Sequence, residues 1–171
     1  MLSGDWSSDV CSSDLEDLER IAQVEAASFP AEEAADKKTL EGRLNVYPNH
    51  FWLLERDGKL VSMVDGLVSN SEELLDSFYA DPSLHDENGK WQMLFGVETV
   101  PEFRKRGYAS ILMKEVIKDC VNDSRKGIIL NCKEEYVPFY ERLGFKKTGE
   151  AKSEHGGKHW YRMIMDLENR E

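Results

Sequence analysis

From Glu16 onward the apolar positions of this chain recur at regular spacing. Asp17 can cap a helix carrying Leu18, Ile21, Ala22, Val24 and Glu25, which stops before Phe29-Pro30. Residues 31–46 read as a second, more charged helix, ended by Pro48. Residues 50–55 and 60–68 read as two strands, joined by the hairpin signal Arg56-Asp57-Gly58-Lys59. Ser71–Phe78 reads as a short helix or irregular turn, and Asp81–Lys90 as a polar loop. Residues 91–100 form one long apolar strand with Gly96 inside it, where a glycine suggests a bulge or the close approach of a ligand.

Tyr108–Val121 keeps one apolar face through Ile111, Leu112, Val116 and Cys120, as an amphipathic helix does. Gly127–Cys132 reads as a buried strand, and Val137–Leu143 as a short helix closed by Gly144. Residues 145–149 and 159–167 complete the pattern as two strands around Gly156-Gly157. This order predicts an α/β (α+β) fold with a mixed sheet. One parallel crossover joins the strand at 91–100 to the strand at 127–133 through the intervening helix.

The first 14 residues do not follow this pattern. Ser-Ser-Asp occurs twice there, at Ser7–Asp9 and Ser12–Asp14, and the stretch resembles a translated sequencing adapter. We therefore expect residues 1–14 to be a non-native or disordered segment, with the first strand missing or replaced. Residues 15–171 are expected to form a single domain.

Composition narrows the function classes. With 22 Lys+Arg against 33 Asp+Glu the formal charge is −11, which argues against duplex nucleic acid as a partner. No apolar run is long enough to span a bilayer and no export signal is visible, so no membrane partner and a cytoplasmic location are expected. Cys11, Cys120 and Cys132 then read as free thiols.

The chemistry concentrates in Val97–Ser110, where a strand ends, a basic glycine-bearing loop follows and a helix begins. A helix N-terminus offers unpaired amides and the positive end of its dipole. With Gly107 and the cations Arg104, Lys105 and Arg106, this makes an anion site suited to a pyrophosphate. Neither of the two commonest glycine-rich phosphate motifs occurs in the chain.

Arg104-x-x-Gly107-x-Ala109 resembles the [Q/R]-x-x-G-x-[G/A] signature of the GNAT superfamily of N-acetyltransferases, and Pro101-Glu-Phe-Arg104 resembles its lead-in. Val137-Pro-Phe-Tyr140-Glu-Arg-Leu-Gly-Phe145 resembles the family's closing motif, in a form similar to the arylalkylamine branch. The resemblance implies the GNAT fold and acetyl-CoA as co-substrate. It implies that backbone groups of Val97, Glu98 and Thr99 bind the pantetheine arm and polarise the thioester carbonyl. It further implies that Arg104, Lys105, Arg106, Gly107, Tyr108, Ala109 and Ser110 hold the pyrophosphate, and that Tyr140 protonates the departing thiolate.

The base departs from the family pattern. The positions used by the arylalkylamine and histone-acetylating branches fall at Met93 and Phe95, which take up no proton. Glu98, His155, His159 and water remain as alternatives. His155 and His159 have zinc-like spacing, but the two glycines between them favour a turn, so no metal is expected. The reading is acetyl transfer from acetyl-CoA to a primary amine of a small molecule, by direct attack in a ternary complex, in a monomer or homodimer. A non-catalytic acyl-CoA-binding or sensing module, and an enzyme acting on peptide or protein amines, are the alternatives.

Overall fold

The computed structural model describes the backbone of residues 8–11, and residues 14–151 and 159–168. The chain divides into two compact units, one of residues 1–65 and 96–116, the other of residues 66–95 and 117–171.

The first unit carries a four-stranded sheet of order β1-β2-β3-β6: β1 (Ser8–Cys11), β2 (Phe51–Arg56), β3 (Lys59–Asp65) and β6 (Gly96–Thr99), antiparallel throughout. The first strand is replaced by a short one rather than missing, since Ser8–Cys11 pairs with Arg56–Leu53. The turn between β2 and β3 has positive φ at Asp57 (51°) and Gly58 (78°), as the Asp-Gly signal requires.

Helices α1 (Leu18–Ser28) and α2 (Lys37–Val46) pack against each other, and α1 packs on β3 and β6. The expected second helix starts six residues late. The Asp36 side chain accepts the Thr39 amide at 2.8 Å and caps α2 there, while residues 31–34 form turns. Ile21, Leu40, Leu44, Phe51, Leu53 and Met63 are fully buried between these helices and the sheet.

The second unit carries a five-stranded sheet of order β4-β5-β7-β9-β8. Its strands are β4 (Val68–Ser69), β5 (Trp91–Leu94), β7 (Gly127–Cys132), β8 (Lys146–Glu150) and β9 (Tyr161–Asp166). β5 and β7 run parallel and the other pairs antiparallel, as the crossover predicted. The short helix α3 (Asp76–Ala80) precedes β5, and α5 (Val137–Leu143) ends at Gly144 with φ 110°. Helix α4 (Tyr108–Asn122) begins in the first unit and ends in the second.

Two expected strands are each divided. Residues 60–68 break at Gly66-Leu67 into β3 and β4, and residues 91–100 break at Phe95 into β5 and β6, so each half pairs in a different sheet. No described helix is long and apolar enough to cross a membrane.

Candidate active site

β6 is the last strand of its sheet, bonded to β3 on one side only. The Val100 amide donates to the Val61 carbonyl at 2.9 Å, and this fixes the phase of the ladder. In an antiparallel pair the inward-bonding residues alternate, so Val100, Glu98 and Gly96 pair toward β3. Val97 and Thr99 therefore turn their amides and carbonyls to the open edge. The Glu98 carbonyl takes the Ser62 hydroxyl at 2.6 Å, also on the β3 side. This corrects the expectation for Glu98: its backbone belongs to the ladder, and the open edge is made by Val97 and Thr99.

Past the end of β6 the chain makes a turn of 3-10 helix at Pro101–Phe103 and enters the loop Arg104–Gly107. Lys105 (φ 64°) and Gly107 (φ 84°) both lie in the left-handed region. Alternation of this kind tips successive amides toward one side and forms an anion-binding hollow. No carbonyl among the described residues takes the amides of Lys105, Arg106, Gly107, Ala109 or Ser110, and the first helical bond of α4 runs from the Ile111 amide to the Gly107 carbonyl. A Cβ built on Gly107 meets nothing within 4 Å, so the space above it is open.

The loop cations divide their work. Arg104 Nε donates to the Thr99 carbonyl at 3.0 Å, strapping the loop to the end of β6. The Arg106 guanidinium stands 5.3 Å from the Phe103 ring centroid, with Lys59 Nζ at the same distance. Tyr108 is buried at the helix start, and its hydroxyl accepts from Arg56 Nη1 at 2.8 Å. Exposed Lys105 and Arg106, the open amides and the helix dipole together suit a polyanion.

The Glu98 side chain, on the opposite register from Val97, is 2% exposed and both its oxygens are covered. Burial, with the Glu25 and Asp65 carboxylates nearby, pushes its pKa well above the usual carboxyl range. A covered carboxyl with a raised pKa has no open path to the protons of an incoming amine.

Tyr140 lies in the second unit, on α5. It is 7% exposed, with its ring edge-on to Phe139 (5.0 Å) and Phe145 (5.7 Å). Burial raises its pKa, with Cys132 and Tyr136 as lesser causes, so the phenol holds its proton throughout the neutral range. His159 is exposed, and its Nδ1 lies 2.9 Å from Glu150 Oε1. His155 falls outside the described residues. The second unit also contains a hollow of about 300 Å3, bordered by Glu73, Leu75, Asp76, Asn131, Glu150 and Arg162. The acids on its rim carried no recognisable spacing in the sequence.

Comparison with known proteins fits these features. The loading GNATL domain of CurA from Lyngbya majuscula superposes with a TM-score of 0.82 at 16% identity, over 96% of this chain and 100% of that one. The ribosomal-protein-S18-alanine N-acetyltransferase of Escherichia coli gives 0.71 at 14% identity, over 96% and 99%. Arabidopsis thaliana Naa50, in complex with a bisubstrate analogue of CoA and an acetylated peptide, gives 0.72 at 14%, over 94% and 99%. The family model described as an acetyltransferase (GNAT) domain matches residues 17–167, and the chain belongs to that family.

Proposed function

We propose that this chain is an N-acetyltransferase that moves the acetyl group of acetyl-CoA to a primary amine of a small molecule. The observation that carries the reading is the set of amides at Lys105, Arg106, Gly107, Ala109 and Ser110 that no carbonyl among the described residues takes, following the open edge of β6 in the chain. An extended pantetheine arm can add to that edge as a strand does, bonding to the backbone of Val97 and the amide of Thr99, while the pyrophosphate takes the loop amides.

In the reaction the amine nitrogen attacks the thioester carbonyl carbon. The C–S bond breaks, and the thiolate takes a proton from Tyr140, which burial keeps protonated until then; the proton shed by the attacking nitrogen returns through water to the Tyr140 oxygen. We assign Glu98 no role as base, because both its oxygens are covered and its carboxyl is buried. The attacking nitrogen gives its proton to water.

Thiol release from acetyl-CoA, measured against a panel of amines, amino acids and short peptides, tests the proposal. Release with a small amine supports it. CoA binding with no release in any case would make the chain an acyl-CoA-binding module instead, and turnover restricted to peptides would move the acceptor class.

A further inference from the structure

The buried charges of the first unit play no part in the steps above, yet they come from four separate elements. Glu25 of α1, Arg43 of α2, Asp65 of β3 and Glu98 of β6 are 5%, 3%, 0% and 2% exposed. Carboxylate oxygens of the three acids lie within 4.8 Å of one another. Arg43 Nη1 donates to Asp65 Oδ2 at 2.9 Å, which meets one of the negative charges. Glu25 Oε2 accepts the Ala35 amide at 2.9 Å.

Neither oxygen of Glu98 has an N–H or hydroxyl donor among the described residues. The Glu25 carboxylate lies within 4.8 Å of it, and Asp65, the other acid at that distance, already accepts from Arg43. Ionised carboxylates only accept, so two of them bond to each other only when one carries a proton. The alternative, two or three bare carboxylates against a single guanidinium in a dry interior, costs several kcal/mol, of the order expected for a buried unpaired charge.

We infer that Glu25 and Glu98 form a clasp through one shared proton, and that this clasp holds β6 against α1 so that its open edge is set for acyl-CoA. Both are positioning residues, since neither side chain reaches the edge itself. The ligand in this inference rests on the function proposed above. Glu98 lies between Val97 and Thr99, whose backbone groups form the edge, so a shift of its side chain moves both. The groups facing the pair are Asp65 from β3 and Arg43 from α2, with Tyr47, just past the end of α2, beside Arg43 and Asp65. Burial, with the Glu25 and Asp65 carboxylates nearby, raises the Glu98 pKa and so favours the shared proton. Once it leaves, two buried carboxylates face each other with Arg43 already committed to Asp65, and α1 and β6 repel.

The test measures CoA affinity by calorimetry from about pH 5 to about pH 10, a span wide enough to cross the raised pKa of a buried carboxyl. Wild type should lose about tenfold in affinity over that range, the size of one hydrogen bond to a charged group. Glu98→Gln, whose amide donates to Glu25 with no proton to lose, should hold its neutral-pH affinity. Glu98→Met, which offers no donor, should bind weakly throughout. Infrared spectra at neutral pH should show a protonated carboxyl band in wild type that is missing from Glu98→Gln.

Parallel pH profiles for wild type and Glu98→Gln, or no such band, would overturn the inference. Wild type that shows the band but binds no CoA at any pH overturns the proposed function and the clasp's bearing on it, while the shared proton stands.

Discussion

Gly96 and Glu98 share one face of β6, and the side chain that Gly96 lacks leaves the space that the Glu98 carboxyl fills. A Cβ built on Gly96 would press on Glu98 Oε1 and stand 3.5 Å from the Phe29 ring. The glycine that opens β6 thus accommodates a buried acid two residues later.

Gly96→Ala should cost about 1–3 kcal/mol, the range for overfilling a packed core. Much of that cost should vanish in the Glu98→Ala background, because the oxygen in the way is gone. Thermal unfolding of both single variants and the double variant measures this. Additive losses would mean that the two side chains do not compete for the same space.

At the phosphate loop, Gly107→Ala meets no neighbour but forces a side chain into φ 84°, a strain of about 1–2 kcal/mol. It should weaken CoA binding modestly by tilting the amides. Gly107→Glu adds a carboxylate where the pyrophosphate is proposed to sit and should weaken binding much further. Equal affinities for CoA in the two variants would place the anion elsewhere.

Tyr140→Phe keeps the ring between Phe139 and Phe145, so the fold and CoA affinity should persist. The rate of thiol release should fall by about 10²–10⁴, the usual worth of a positioned acid. An unchanged kcat would make Tyr140 a packing residue and leave water as the donor.

The buried acids give stability an unusual dependence on pH. Burial pushes the Asp65 carboxyl up to about 6 despite Arg43, and Glu98 stands well above its ordinary value. Such groups stabilise the fold fully only below their unfolded pKa of about 4. That contribution is lost as pH rises toward the folded value. The Tm advantage of Glu98→Gln over wild type should therefore grow from about pH 4 to about pH 8. An advantage that stays constant or shrinks across that window would contradict a protonated Glu98.

Local signals were legible in the sequence. Asp57-Gly58 gave the hairpin, helical spacing gave α1 and α4, and Gly144 gave the end of α5. The break beside Gly96 was read only as a bulge, and the one at Gly66-Leu67 was not read at all, because residues on both sides are buried while the pairing partner changes. The loop Arg104–Ser110 could be found because its chemistry is contiguous. The Glu25–Arg43–Asp65–Glu98 cluster could not, since its members are scattered over more than half the first unit's sequence and share no spacing. Asp36 was visible as a residue, but its capping of α2 was outweighed by the helix-favouring alanines and glutamates before it.

The open edge of β6 has a consequence for the protein without its ligand. A row of amides and carbonyls that can receive a pantetheine arm can equally receive a strand from another copy of the chain. β6 is only four residues long, Pro101 follows closely behind it, and Arg104 already occupies the Thr99 carbonyl, so little of that edge is left for a foreign strand. Self-association at this edge should accordingly be weak, and added CoA should suppress what remains, so that light scattering on slow heating begins at a higher temperature with CoA present.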